Sequence, residues 1–148
     1  MSPELAAVLE DLADAEQPWI FLPGLTPREF WDELAGQAPH EGFGVIDLDE
    51  AAPVGNHDEL LAAFAASLEP PRWAGHNLNA LKDLLTGLPA HAKGWVILLR
   101  NPEPLSEHDP ESFEALLDIV ETVNDAKREA GKGPVTLVTL EPAEAEEI

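Results

Sequence analysis

The feature that most constrains the fold of this chain is an unbroken apolar run, Trp-Val-Ile-Leu-Leu, at residues 95–99. A strand with one solvent-exposed face alternates apolar and polar residues. A continuous apolar run therefore predicts a strand that is covered on both faces, as in the middle of a parallel sheet. Residues 43–48 and 135–140 are two further apolar segments with the length of strands. We therefore expect a three-stranded parallel sheet.

Helical patterns separate these three strands. Asn56 can cap a helix that ends before Pro70-Pro71, a second helix spans residues 77–87, and Asp109-Pro110 starts a long helix that ends near Gly131. The two prolines between residues 99 and 109 predict a loop that connects the strand at residues 95–99 to the long helix. Helices that alternate with strands in this order indicate an α/β fold with right-handed crossovers.

An N-terminal segment precedes this core. Residues 3–15 have apolar positions at helical spacing, and a second helix runs from Thr26-Pro27 to a stop at Gly36. Between them, residues 19–22 form a short apolar run that can add a fourth strand to the sheet.

We expect a single domain over residues 1–148, because the chain is too short for two ordinary ones. An extension of residues 1–40 would pack on a core of residues 43–140, and residues 141–148 would form an acidic tail. Trp19 and Trp31 in the extension leave two interpretations open, packing on the core or a second surface for a partner.

Charge limits the partners of this chain. The net charge is -21, from 29 acidic and 8 basic residues. Such a chain repels nucleic-acid phosphates and anionic membranes and attracts basic proteins. An acidic surface can equally maintain solubility or be an adaptation to a cytoplasm of high salt concentration. There is no cysteine, and the N-terminus carries neither a basic segment nor a long apolar run. We expect a cytoplasmic protein that is monomeric when free.

Candidates for enzymatic chemistry are few. The five histidines fall in predicted loops or at helix starts, and no two have the helical spacing of metal ligands. Residues 131–134, Gly-Lys-Gly-Pro, follow a helix, whereas a phosphate-binding loop follows a strand. We predict no enzyme, no cofactor and no metal. The one enzymatic alternative is a hydrolase that uses His76 and Asp83, which would line a concave pocket.

The predicted helix at residues 77–87 has two distinct faces, with Asn77 as its N-cap and Gly87 as its left-handed stop. One face is apolar and carries Leu78, Leu81, Leu84 and Leu85. The other is polar and carries Asn79, Lys82, Asp83 and Thr86. This helix is expected to pack by its leucines and to present its polar face.

Residues 73–87 read Trp-Ala-Gly-His-Asn-Leu-Asn-Ala-Leu-Lys-Asp-Leu-Leu-Thr-Gly. This run resembles the inhibitory loop and second helix of the barstar family, which are protein inhibitors of bacterial ribonucleases. The predicted order of elements from residue 43 to residue 140 also resembles that family's fold of three parallel strands packed with helices. The resemblance covers about two-thirds of the chain.

The resemblance implies a role for each matching residue. Asp83 would mimic a phosphate in the active site of a basic ribonuclease, and Trp73 would cover the cleft of that enzyme. An additional acidic contact would come from Asp125 or Glu129 on the long helix. The complete set of implied partner-binding residues is Trp73, Gly75, Asn77, Asn79, Lys82, Asp83, Thr86, Gly87, Asp125 and Glu129.

Three positions depart from the family pattern. Asn79 replaces an aspartate, Lys82 replaces a tryptophan and places a positive charge next to Asp83, and Leu88 stands where the family has an aromatic residue. A basic target other than barnase is therefore plausible, including an adaptor or immunity role toward a basic protein that is not a ribonuclease. Two structural alternatives also stay open: Trp73 could fold onto the core, and Asp83 could pair with a cation of its own chain.

Overall fold

The computed structural model describes residues 3–14, 17–50, 52–68, 78–88, 93–131 and 133–141. Within these residues, helices and strands alternate along the chain. The elements are α1 (Pro3–Asp14), β1 (Trp19–Leu22), α2 (Arg28–Gln37), a 3₁₀ turn (Ala38–Glu41), β2 (Phe43–Asp47), α3 (His57–Leu68), α4 (Leu78–Thr86), β3 (Gly94–Leu99), α5 (Glu103–His108), α6 (Pro110–Glu129) and β4 (Val135–Leu140).

The strands form one parallel sheet in the order β1-β4-β3-β2. The central positions are taken by β3, whose apolar run is continuous, and by β4, in which Thr136 and Thr139 interrupt the apolar residues. Val96 to Leu99 are fully buried. The predicted α/β fold with a parallel sheet is confirmed. The apolar run of the extension supplies the fourth strand, β1, which pairs with β4 at the edge opposite β2.

Helices cover both faces of this sheet. Side chains of Ile97, Leu99 and Leu137 share one apolar cluster with buried residues of α3, α4, α5 and α6. The alternate side chains of the same strands, including Val96 and Leu98, share a second cluster with α1 and α2. Three layers result. None of the described helices is both long and apolar enough to cross a membrane.

The tryptophans of the extension pack inside these layers. Trp31 is 2% exposed and belongs to the cluster beneath α1 and α2. Trp19 is half-buried on the other face, and its indole Nε1 donates a hydrogen bond to the carbonyl of Leu117 at 3.0 Å. The indole rings therefore pack β1 and α2 against the apolar clusters on the two faces of the sheet.

Two local predictions are wrong. Gly36 does not stop α2, which continues to Gln37 and into the 3₁₀ turn; the left-handed residue is Gly42, with a φ of 99°. The connection between β3 and α6 contains a short helix, α5, because its prolines occupy the first-turn region, where a helix needs no N–H donor.

Candidate functional site

Helix α4 is anchored by leucines and exposes its polar face. Leu81 and Leu85 are fully buried, in the same apolar cluster as Val120 and Val123 of α6. Lys82, Asp83 and Thr86 are exposed. The side chains of Leu81 and Leu85 thus fix the direction in which the charged residues of α4 project.

The carboxylate of Asp83 points away from the core. Successive residues of an α-helix are about 100° apart, so Asp83 lies nearly opposite Leu81 and Leu85. The ion pairs within the described residues involve Arg28, Arg100 and His57, and none reaches Asp83. In this part of the chain, no internal cation competes for the carboxylate.

Lys82 projects along a different line from Asp83. Adjacent helical residues diverge by about 100°, so the ammonium flanks the outer face rather than sitting over Asp83. The hydroxyl of Thr86 donates to the carbonyl of Lys82 at 2.8 Å, a bond back to the preceding turn. A partner would therefore meet Thr86 as a hydrogen-bond acceptor more readily than as a donor.

The end of α4 differs from the expected left-handed stop. Gly87 is not among the described glycines with positive φ, which are Gly42, Gly94 and Gly131. Its N–H donates instead to the carbonyls of Asp83 and Leu84, at 3.0 and 3.2 Å. The prediction for Gly87 is wrong because a tightened, 3₁₀-like last turn satisfies these carbonyls without a left-handed residue.

Helix α6 runs beside this end of α4. The buried ammonium of Lys127 donates to the carbonyl of Leu88, the second residue beyond α4, at 3.3 Å. Asp125 and Glu129 each lie two positions from Lys127 and are exposed, so they project from the outer side of α6. Lys127 thus faces the end of α4, whereas the carboxylates of Asp125 and Glu129 project from the opposite side of α6.

Part of the predicted set lies outside the described residues. Trp73, Gly75 and Asn77 fall there, as do His76 and the side chain of Asn79. The packing alternative for Trp73 and the hydrolase pair of His76 and Asp83 consequently stay untested.

Two described cavities lie away from α4. One, of about 270 Å³, is lined by Asp11, Asp14, Gln17 and Ile20.

The second cavity, of about 250 Å³, opens at the carboxyl edge of the sheet, next to a charged cluster that the sequence pattern did not reveal. The guanidinium of Arg100 makes a two-pronged contact with Asp47, at 3.1 and 2.7 Å, and a third bond to Asp32 at 2.7 Å. Burial lowers the pKa of Arg100, but these hydrogen bonds outweigh it, and the pKa is raised.

Asp49 completes this cluster. Its carboxylate accepts backbone N–H bonds from Arg100 and Asn101, each at 2.8 Å. Burial is the main cause that raises the pKa of Asp49. Among the described residues, no three His, Asp or Glu side chains form a group that could hold a metal ion. The ion pairs of Arg100 with Asp47 and Asp32 tie the ends of β2 and β3 to α2, and Asp49 holds the backbone after β3.

A parallel sheet covered on both faces, with a short helix whose charged residues project outward, defines a small α/β domain suited to binding another protein. The family model described as Barstar (barnase inhibitor) matches residues 43–139, about two-thirds of the chain. The chain belongs to the barstar family, whose members are inhibitors rather than enzymes. The match runs from β2 to the penultimate residue of β4 and includes α4 and α6. No curated protein gives a significant match to the chain.

Proposed function

We propose that this protein inhibits a basic bacterial ribonuclease inside the cell that makes it, by placing the carboxylate of Asp83 where the enzyme binds an RNA phosphate. The observation that carries the proposal is the exposed carboxylate on α4, which no described cation of the chain engages. It lies within a domain that matches a family of ribonuclease inhibitors.

The chemistry follows from the charge of the target site. A ribonuclease cleft presents Arg, Lys and His side chains to a phosphate, and a carboxylate can accept the same charge-assisted hydrogen bonds. Because Leu81 and Leu85 are buried, little conformational freedom of α4 remains to be lost on binding. The helix thus offers Asp83 in a preorganised position.

Long-range attraction would precede this contact. The net charge of -21 draws a cationic enzyme toward the chain and raises the rate of encounter, an effect that salt weakens. Asp125 and Glu129, which are exposed on α6, would extend the acidic surface that the enzyme meets. Together these residues give a footprint across two helices, with Asp83 as its central anchor.

The experiment compares Asp83→Ala with Asp11→Ala, a change of equal charge on an exposed residue of α1, on the opposite face of the sheet. Barnase and other basic secreted bacterial ribonucleases are mixed with each variant, and RNA cleavage is measured. Loss of a central anchor costs at least about 2 kcal/mol, so Asp83→Ala should weaken inhibition at least roughly 30-fold, whereas Asp11→Ala should not. Circular dichroism verifies that both variants are folded. If Asp83→Ala inhibits as well as the wild type, the proposed face is wrong.

Lys82 favours a second candidate, a basic target that is not a ribonuclease. Its exposed ammonium beside Asp83 would repel part of a uniformly cationic cleft. Immobilised wild-type protein and Asp83→Ala are compared as baits for basic proteins of known activity. A partner that is lost with Asp83→Ala and has no ribonuclease activity supports this candidate, while one that cleaves RNA supports the first.

A further inference from the structure

A lysine side chain lies buried under the end of α4. Lys127, near the end of α6, is 2% exposed, and its Nζ donates to the carbonyl of Leu88 at 3.3 Å. Lysine is almost never fully buried unless its ammonium is hydrogen-bonded or paired, because burial removes its hydration. The Leu88 contact is therefore a specific connection between α6 and the residue pair that closes α4.

The position of α4 depends on such tertiary contacts. The helix has nine residues, and a helix of this length is marginal by itself in water. Its last carbonyls form the negative end of the helix dipole, where a cation is stabilising. Lys127 places that cation beneath the C-terminal end of α4.

The same turn contains the backbone of Asp83. The N–H of Gly87 donates to the carbonyl of Asp83 at 3.0 Å, and the N–H of Leu88 donates to the carbonyl of Leu85 at 3.3 Å. A contact that fixes Leu88 consequently fixes the turn from which the Asp83 carboxylate projects. Movement of this turn would displace the anchor relative to a target.

We propose that Lys127 is a positioning residue for Asp83: it holds the last turn of α4 and thereby sets the anchor for the target. The effect on binding rests on the proposed function, whereas the effect on α4 does not. Substitutions at Lys127 should lower affinity although its own side chain is buried away from the partner.

Asn124 provides a matched control in the same helix. It is 1% exposed, and its Nδ2 donates to the carbonyl of Val135 at 2.7 Å. Both residues thus donate a buried hydrogen bond from α6 to a backbone carbonyl, but the Asn124 bond reaches β4, whereas the Lys127 bond reaches the residue pair after α4. Asn124→Leu tests general destabilisation of α6, and Lys127→Met tests the connection to α4.

The first measurement needs no target. Amide hydrogen exchange is followed in the wild type, Lys127→Met and Asn124→Leu, with the rates at Leu81 and Leu85 compared with those in β3. Lys127→Met should accelerate exchange in α4 by at least about tenfold relative to β3, as expected on loss of a hydrogen bond from a charged group. Equal acceleration of α4 by both variants would overturn the proposal.

The second measurement uses a ribonuclease that the wild type inhibits, with barnase as the first to be tried. Lys127→Met should weaken binding by about tenfold, and Asn124→Leu by less than about twofold. In an Asp83→Ala background, Lys127→Met should add little, because the two residues act through one contact. A fully additive loss refutes positioning. If the wild type inhibits no ribonuclease, the proposed function fails while the exchange result still decides the role of Lys127.

A wild-type measurement covers the case in which Lys127→Met does not fold. Exchange in mild denaturant reports which amides open together. The proposal requires that Leu85 and Leu88 exchange through the same opening as the last turns of α6. Independent opening of α4, with α6 still protected, contradicts it.

Discussion

The contact of Arg100 with two carboxylates makes a quantitative prediction about stability. The side chain of Arg100 is 10% exposed, that of its principal partner Asp47 is 16% exposed, and that of Asp32 is 54% exposed. Arg100→Met keeps much of the side-chain volume and removes the charge. The carboxylate of Asp47, which keeps some solvent contact, then loses its bidentate partner.

The magnitude follows from the burial of each partner. Removing one member of a fully buried ion pair costs about 3–5 kcal/mol, while an exposed pair contributes less than about 1 kcal/mol. Since Asp47 retains some solvent contact and Asp32 is half exposed, we expect Arg100→Met to lower the free energy of unfolding by about 2–3 kcal/mol. For a chain of this length, that corresponds to a fall in Tm of roughly 5–10 °C.

Urea denaturation and calorimetry measure this loss, and two variants apportion it. Asp32→Ala should cost less than about 1 kcal/mol. Arg100→Lys should fall between Arg100→Met and the wild type, because an ammonium keeps the charge but cannot span both oxygens of Asp47. The reasoning is refuted if Arg100→Met unfolds within about 0.5 kcal/mol of the wild type, or if Asp32→Ala costs as much.

Two further predictions concern charge. Lys82→Glu should raise the association rate with a basic target about threefold at low ionic strength, as measured by stopped flow. Arg28→Glu, the same change of charge in the helix layer on the opposite side of the sheet, should raise that rate less. Equal effects of the two substitutions would show that Lys82 is outside the footprint. Because burial raises the folded-state pKa of Asp49, its ionisation opposes folding, and stability present below about pH 4 is lost as the pH rises through that raised pKa. The wild type should therefore lose stability relative to Asp49→Asn as the pH increases from about 4, in urea titrations, and a constant difference would contradict this assignment.

The sequence predicted what depends on local pattern. A continuous apolar run identifies β3 because a strand buried on both faces has no polar alternation, and the family match confirms the resemblance seen at residues 73–87. Helix α5 was missed because proline is compatible with both a loop and the first turn of a helix. Gly36 was misjudged because glycine inside a helix costs only about 1 kcal/mol, which packing of α2 overcomes.

The two charged contacts could not be read from the sequence because they depend on distant pairs. Lys127 continues the apolar spacing of Val120 and Val123, but a lysine at such a position is ordinarily a solvated residue. Arg100 meets Asp32 and Asp47 only because the sheet brings the ends of neighbouring strands to one edge. With 29 acidic residues in the chain, no single pairing stands out before the topology is known.

The arrangement of layers separates helices α1 and α2 of the extension from the outer face of α4. Helices α1 and α2 pack on the side of the sheet that carries Val96 and Leu98, whereas α4 and α6 pack on the side of Ile97 and Leu99. The sheet lies between them, so the described helices of the extension have no direct contact with the outer face of α4. Their leucines cover an apolar surface that would otherwise face water. Substitutions in α1 and α2 should consequently act on inhibition through the fraction of folded protein, while substitutions on α4 act through the contact itself.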